Sequence, residues 1–183
     1  MNHSIKEALT SYNAFSDEEV DQFLWLLTAR RVDKGEKVLD RGQVCQEISF
    51  INEGSFIQHY RDEEMNEVIE NLFVKGDWLL SRSSFTSQKP SRSQIEAFED
   101  SQIVTISIHD LHHLIGRHPS FFAMGKILEV THPNADSKRS PDQKYELLLD
   151  QRPEIVQTFP LKHIASYLGM TPETLSRVRA RTK

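Results

Sequence analysis

Cysteine is almost absent from this chain of 183 residues, since Cys45 is the only one. A single thiol excludes an internal disulfide, a cysteine-ligated iron–sulfur cluster and a cysteine-based zinc site within one protomer. Long apolar runs are missing as well: no stretch is long enough to cross a bilayer, and the N-terminal segment lacks the hydrophobic region of a signal peptide. We therefore expect a cytoplasmic protein without a membrane segment.

The motifs of several common enzyme classes are also missing. The chain has no G-x-S-x-G nucleophile elbow, no Walker A phosphate loop and no dinucleotide-binding fingerprint. A metal enzyme of the cupin type needs two strand histidines and a carboxylate, and the predicted strands contain only His59. His109 and His113 have the i, i+4 spacing of a metal pair, but no cysteine or nearby Glu completes a typical ligand set. We expect no catalytic residues, no metal site and no cofactor.

The C-terminal segment 161–183 has the spacing of a DNA-binding helix-turn-helix. Gly169 falls where a first helix must stop in a positive-φ conformation, and Thr171 followed by Pro172 suits the start of a second helix. The apolar residues that would seal the two helices are Ile164, Leu168, Met170, Leu175 and Val178. A generic amphipathic hairpin is the alternative, but such hairpins seldom match the glycine, cap and small-residue positions together.

The outward side of the second predicted helix carries side chains that can read bases. At about 100° per residue, Glu173, Ser176 and Arg177 lie opposite the apolar pair. An Arg fork binds guanine O6 and N7 together, and a Glu accepts from cytosine N4, so we predict base contacts in the major groove. The segment is basic although the whole chain has a formal net charge of −5. Its predicted DNA phosphate contacts are Lys162, His163, Thr171, Arg179, Arg181 and Lys183.

Short strands separated by turns precede this segment. Ser16 and Glu19 form a capping box that predicts a helix over 17–29. Strands are predicted over 37–39, 48–51, 55–60, 67–73, 93–98 and 103–108. Many short strands with regular turns are typical of a small antiparallel barrel or jelly roll.

Helices are predicted between the strands and the C-terminal segment. Ser107 caps one helix, and the next, over about 119–131, is so apolar that we expect it to meet a second subunit. Ser140 opens another capping box and a helix through residue 150. The predicted domains are a sensor domain with dimer helix at 1–132, a linker at 133–140 and a helix-turn-helix domain at 141–183.

Barrel, dimer helix and helix-turn-helix in this order resemble the Crp/Fnr superfamily of transcription regulators. ETLSR at 173–177 is similar to the E-x-x-S-R motif of the Fnr branch, and PLKHIASYLGMTPETLSRVR resembles the compact members common in Bacteroidetes. The resemblance implies an α+β fold, with an antiparallel, cyclic-nucleotide-binding-like jelly roll, flanking helices, a short dimer helix and a small all-α helix-turn-helix domain. It also implies a homodimer that binds an inverted repeat in double-stranded DNA, with a half-site related to TTGA. An unidentified small-molecule effector is a further candidate partner.

The sequence departs from that family at the nucleotide-binding positions. Members that bind cyclic nucleotides hold the ribose with a Gly-Glu pair and the phosphate with an Arg at a strand start. The matching places here are GD at 76–77 and SRS at 91–93, and the Ser-rich stretch 81–93 is expected to be a solvated, mobile loop. The residues of the candidate ligand pocket are Gly76, Asp77, Arg82, Arg92 and Ser93.

Strand parity decides how Arg92 can act. If Ile95 and Ala97 point into the barrel, Ser91 and Ser93 do so as well and Arg92 points outward. A pocket without that arginine would hold a cyclic phosphate weakly, so we expect no control by cyclic AMP. A bulge that turned Arg92 inward would restore the phosphate contact and with it control by a cyclic nucleotide.

Three functions remain open from the sequence. The first is a Crp/Fnr-type regulator that binds DNA without cyclic AMP. The second is an effector-sensing or protein-interaction module whose helix-turn-helix docks protein instead of DNA. The third is a DNA-binding regulator that responds to a cyclic nucleotide.

Overall fold

The computed structural model describes residues 2–129 and 139–181, the first three by their backbone alone. The strands are β1 Thr28–Val32, β2 Lys37–Leu39, β3 Glu47–Glu53, β4 Phe56–Arg61, β5 Glu67–Phe73, β6 Trp78–Leu79, β7 Gln94–Ala97 and β8 Ser101–Ser107. The helices are α1 Asn2–Thr10, α2 Asp17–Trp25, α3 Arg82–Ser87, α4 Ile108–Arg117, α5 Pro141–Gln151, α6 Pro153–Thr158, α7 Leu161–Tyr167 and α8 Pro172–Arg181. A 3₁₀ helix, Pro119–Leu128, follows α4.

Two antiparallel four-stranded sheets, β1-β8-β3-β6 and β2-β7-β4-β5, make the β domain. The β4 residue Phe56 pairs with Phe73 on one side and with Ala97 on the other, and all three belong to one buried cluster. Residues directly opposite in a sheet share a face, so these side chains point into the barrel. The structure thereby confirms the predicted antiparallel β domain followed by helices.

The C-terminal helices pack on the outer face of the sheet β2-β7-β4-β5. The sheet contributes Ile57, Ile69 and Leu72, with Val74 just beyond β5. The helices contribute Tyr145, Leu148, Ile155, Phe159, Ile164, Ala165, Tyr167, Leu168, Leu175 and Val178. Antiparallel sheets commonly leave one face to water, whereas this one is covered on both.

The 3₁₀ helix buries most of its apolar side chains in this chain's own core. Phe121 stacks on Phe15 with ring centroids 4.7 Å apart, and Met124 and Ile127 are buried in the same cluster. Only Phe122, 70% exposed, remains as a large apolar group on the surface of this helix. The apolar composition that indicated a second subunit is therefore largely explained within one chain. Residues 130–138, which include most of the predicted linker, lie outside the described part.

The capping predictions are confirmed. Ser16 and Glu19 form both hydrogen bonds of a capping box, and so do Ser140 and Gln143 at the start of α5. Ser107 caps α4 by accepting from the backbone N–H of Asp110 at 3.0 Å.

Two predicted segments are wrong in part. The helix predicted over 17–29 ends at Trp25, because Thr28–Val32 instead pairs with β8 as β1. The Ser-rich stretch 81–93 is not a solvated loop, because α3 forms within it and Ser84 and Phe85 are buried. No pattern in the sequence indicated α1, α6 or the two-residue strand β6. Among the described residues, no helix combines the length and apolar character needed to cross a membrane.

Candidate nucleic-acid interface

The helices α7 and α8 are joined by a tight turn whose geometry follows from two residues. Gly169 adopts φ +68°, and the N–H of Met170 donates to the carbonyl of Ala165 at 2.9 Å, which ends α7 in a left-handed cap. The Thr171 hydroxyl accepts from the backbone N–H of Thr174 at 3.2 Å and so caps α8. The direction in which α8 leaves the turn is thereby fixed.

The two sides of α8 differ sharply. Leu175 and Val178 are 0% exposed and seal α8 against α5 and α7. Glu173, Ser176 and Arg177 are exposed. The three residues predicted to read bases therefore share the surface of α8 that the other described residues leave uncovered.

The local electrostatics suit Glu173 to its predicted role as an acceptor. Its own backbone N–H and the Thr171 hydroxyl lower the pKa of the Glu173 carboxyl. Arg177 lies one helical turn further along, where its charge also lowers the pKa of Glu173 and its Nη2 is 3.5 Å from Thr174 Oγ1. The surface thus offers a carboxylate and a guanidinium side by side, an acceptor for cytosine N4 and a fork for guanine.

The predicted phosphate contacts fall into different environments. Lys162 and Arg179 are exposed. Arg181 is committed to an ion pair, with Nη2 2.9 Å from Asp142 Oδ1. Lys183 lies outside the described residues.

His163 faces the sheet rather than open solvent. Its ring meets Phe98 edge to face with centroids 5.9 Å apart, and its Nδ1 is buried with no hydrogen-bond partner among the described residues. Burial lowers the pKa of His163. In this arrangement the neutral ring packs between α7 and the barrel.

The candidate pocket residues do not come together. Gly76 and Asp77 form the turn before β6, and the Asp77 carboxylate accepts from Val74 N–H at 2.8 Å and from Arg152 Nη2 at 2.5 Å. Burial raises the pKa of Asp77, while Arg152 and the Val74 N–H act in the opposite direction. Asp77 therefore joins the barrel to the α5–α6 junction instead of lining the barrel interior.

Arg82 belongs to the same contact between barrel and helices. It begins α3 and interacts electrostatically with Tyr167, Arg152 and Asp77, and burial lowers its pKa. Burial also raises the pKa of Tyr167 to about 12. Nothing in the sequence indicated this cluster, because its members lie more than 80 positions apart at the extremes and no motif connects them.

Ser93 lines a different place, the polar end of the barrel interior. Gln58 Nε2 donates to Ser93 Oγ at 2.8 Å and to Glu70 Oε2 at 3.2 Å. The Ser91 hydroxyl donates to the carbonyl of Ser93 at 2.7 Å and lies 3.2 Å from Ser81 Oγ. A bulge in β5 next to Gln58 brings Glu70 to this side of the sheet. The serines are thus satisfied by their neighbours.

Arg92 points outward, as strand parity predicts. Ser91, Ser93 and Ile95 are buried, whereas the Arg92 side chain is exposed and lies over the Tyr60 ring with 5.2 Å from Cζ to its centroid. Its Nη2 is 3.6 Å from Glu70 Oε1. The polar end of the barrel therefore contains the Glu70 carboxylate, and Arg92 lies at the rim.

His109 and His113, which have the spacing of a metal pair, are not accompanied by further metal ligands among the described residues. His109 is exposed and its nearest acidic partner is its neighbour Asp110, 3.7 Å away. In the part of the chain that the structure describes, no three His, Cys, Asp or Glu side chains converge to hold a metal ion.

Residues 29–118 match the family model of the cyclic nucleotide-binding domain. The matched stretch runs from β1 to the end of α4 and contains both sheets. No curated protein sequence matches this chain.

Solved structures share the fold over most of the chain. A protein from Ruegeria pomeroyi described as a cyclic nucleotide binding protein is 21% identical, with a TM-score of 0.65, and the match covers 99% of this chain and 88% of that one. Catabolite Activator Protein from Thermus thermophilus is 19% identical, with a TM-score of 0.57 and 95% and 85% covered. FixK2 from Bradyrhizobium japonicum is 15% identical, with a TM-score of 0.59 and 85% and 83% covered. At these identities the matches establish the fold alone.

Proposed function

We propose that this chain is a sequence-specific DNA-binding transcription regulator of Crp/Fnr type, active as a homodimer and not controlled by cyclic AMP. The observation that carries the proposal is the surface of α8, where Glu173, Ser176 and Arg177 are exposed together while Leu175 and Val178 are fully buried. A helix presented in this way fits the major groove with its N-terminal residues toward the base edges.

We give each polar residue of this surface a distinct role. Arg177 would take guanine, and Glu173 would take cytosine on a neighbouring pair. Lys162 and Arg179, both exposed, would hold phosphates and set the register of the helix on the duplex. Two copies related by a two-fold axis would then read half-sites about one helical turn apart, which is the basis of an inverted repeat.

The polar end of the barrel argues against a cyclic phosphate as effector. A bound phosphate would face the Glu70 carboxylate, and Arg92, which precedes β7, is turned to the rim. The serines that could donate to a phosphate already bond to one another and to Gln58. An effector that fits this end would be neutral or would bring hydrogen-bond donors to Glu70.

Cyclic-nucleotide control is the second candidate, because residues 29–118 match the cyclic nucleotide-binding domain. Thermal unfolding with and without cyclic AMP and cyclic GMP tests it directly. A ligand at 100 times its dissociation constant stabilises the folded state by about 2.7 kcal/mol, which a melting curve resolves. We expect no shift with either nucleotide.

The test of DNA binding is selection from a randomised duplex library by the purified chain, at near-physiological salt and without an effector. We expect an enriched inverted repeat with a TTGA-like half-site. No enrichment would favour the alternative in which the helix-turn-helix docks protein, or a requirement for an effector.

Two arginine variants then separate base reading from charge. On the selected site, Arg177→Ala should cost about 1–3 kcal/mol and relax preference at one base pair, whereas Arg179→Ala should weaken selected and random duplexes alike. Equal losses on both duplexes for Arg177→Ala would contradict base reading by this residue.

A further inference from the structure

A groove between α2 and α4 holds the most exposed aromatic side chain of the described residues. Trp25, at the end of α2, is 84% exposed, and it lies beside a groove of about 810 Å³ whose apolar lining includes Leu26 and Leu114. Tryptophan is enriched among the residues that dominate binding energy at protein interfaces, so an exposed tryptophan beside a groove is a candidate anchor for a partner.

The groove is held open by contacts at one end. His118 Nε2 lies 2.8 Å from Gln22 Oε1, and the Glu19 carboxylate accepts from the Ser120 hydroxyl. These bonds tie the start of the 3₁₀ helix to α2, so the spacing of α2 and α4 is fixed by the fold. A partner would meet a preformed surface.

The two walls of the groove carry opposite charge. α2 presents Glu18 and Asp21 and contains no basic residue, while α4 presents His113 and Arg117. Within the described residues, neither Asp21 nor Arg117 has an ion-pair partner. Both charges are therefore available to a second molecule.

This pattern is self-complementary. A two-fold axis through the groove would bring α2 of one copy to α4 of the other, so that Asp21 meets Arg117 twice and each Trp25 is covered. A second copy supplies both signs in the required order, because its α2 is acidic where α4 of the first copy is basic.

We propose that the α2–α4 groove is a contact face between two copies of this chain, with Trp25 as its apolar anchor. The proposal rests on the homodimer of the proposed function and names the face that forms it. The 3₁₀ helix, by contrast, buries Phe121, Met124 and Ile127 in this chain's own core and leaves Phe122 as its one largely exposed apolar side chain.

Sedimentation of the full chain without DNA tests the apolar anchor. We expect Trp25→Ser to weaken self-association by about tenfold or more, as truncating a central tryptophan does at other interfaces. Met65→Ser is the matched control, because Met65 is also largely exposed but lies on the β4–β5 hairpin. The control should leave association unchanged.

Charge reversal tests the two-fold pairing. Asp21→Lys places two cations together at each contact, and Arg117→Glu places two anions together, so each single variant should weaken association several-fold. The double variant should restore it, because the pair is then exchanged. Far-UV circular dichroism checks that all variants fold.

The outcomes separate this proposal from the proposed function. A native chain that remains monomeric at its highest soluble concentration, free and on the selected duplex, would overturn the dimer itself. A native dimer that neither Trp25→Ser nor the charge reversals weaken would overturn this face and leave the DNA-binding dimer standing. Failure of the double variant to recover would overturn the two-fold pairing of α2 with α4.

Discussion

The sheet β2-β7-β4-β5 has two faces that are both buried but differ in character. Near α3, its inner face carries Gln58, Ser91 and Ser93, which bond to one another. Its outer face carries Ile57 and Leu72, which the C-terminal helices cover. Antiparallel sheets usually place the apolar face on their own core and the polar face in water. Part of this sheet reverses that arrangement.

The reversal explains why the C-terminal helices pack against the barrel. Without them, Ile57, Ile69 and Leu72 would face water, and each fully buried side chain of this kind contributes about 1.5–3 kcal/mol. The polar inner face is stable for another reason, because a buried polar group left unpaired costs about 1–3 kcal/mol and these groups are paired. The outer face should therefore depend mainly on apolar packing, and less on its ion pairs.

The largest expected effect comes from truncating the outer face. Leu72→Ala should lower the free energy of unfolding by about 2–5 kcal/mol, as much as Ile95→Ala inside the barrel, because both side chains are buried. Urea unfolding followed by circular dichroism measures both. If Leu72→Ala cost less than about 1 kcal/mol while Ile95→Ala cost the expected amount, the helices would not cover the sheet in solution.

The next effect concerns the ion pair at the edge of that face. Arg152→Gln leaves the half-buried Asp77 carboxylate without its guanidinium and should cost about 1–3 kcal/mol at neutral pH. The loss should shrink as pH falls, because the variant raises the folded-state pKa of Asp77 further above its unfolded value and protonation then removes the unpaired charge. Lys37→Gln, in the exposed pair with Asp40, is the control and should cost about 0–1 kcal/mol.

A smaller effect should appear on acidification. Burial lowers the pKa of His163 in the folded state, so the unfolded chain binds more protons as pH falls below about 6.5 and stability is lost. The native chain should therefore lose more stability than His163→Gln between about pH 7.5 and about pH 5.5. If the native chain and His163→Gln lost the same stability, the His163 ring would lie in solvent. His112→Gln, at an exposed position, is the control and should behave like the native chain.

The smallest effect is expected at the end of α8. Arg181 pairs with Asp142 on the surface, and Arg181→Gln should change the free energy of unfolding by about 0–1 kcal/mol. If the pair also orients α8, Arg181→Gln should lower affinity for the selected duplex although it barely changes the free energy of unfolding. Titration of a labelled duplex measures the affinity, and urea unfolding of the same variant measures the stability.

Local patterns in the sequence were enough to predict several features of this protein. The capping boxes at Ser16 and Ser140, the glycine turn at Gly169 and the outward direction of Arg92 follow from bonds between near neighbours or from strand alternation. The surface of α8 follows in the same way, because helical periodicity alone separates Arg177 from Leu175.

Tertiary structure decided what depends on distant partners. Thr28 and Ala29 lie at the end of the predicted amphipathic helix and belong to a strand only because β8 lies beside them. Asp77 looks like part of a ligand pocket until Arg152, 75 positions away, accounts for its carboxylate. His163 looks like a phosphate contact until the sheet covers its ring. Local periodicity determines which way a side chain points, but only packing determines what it meets, because burial and pairing are set by segments that the chain brings together from far apart.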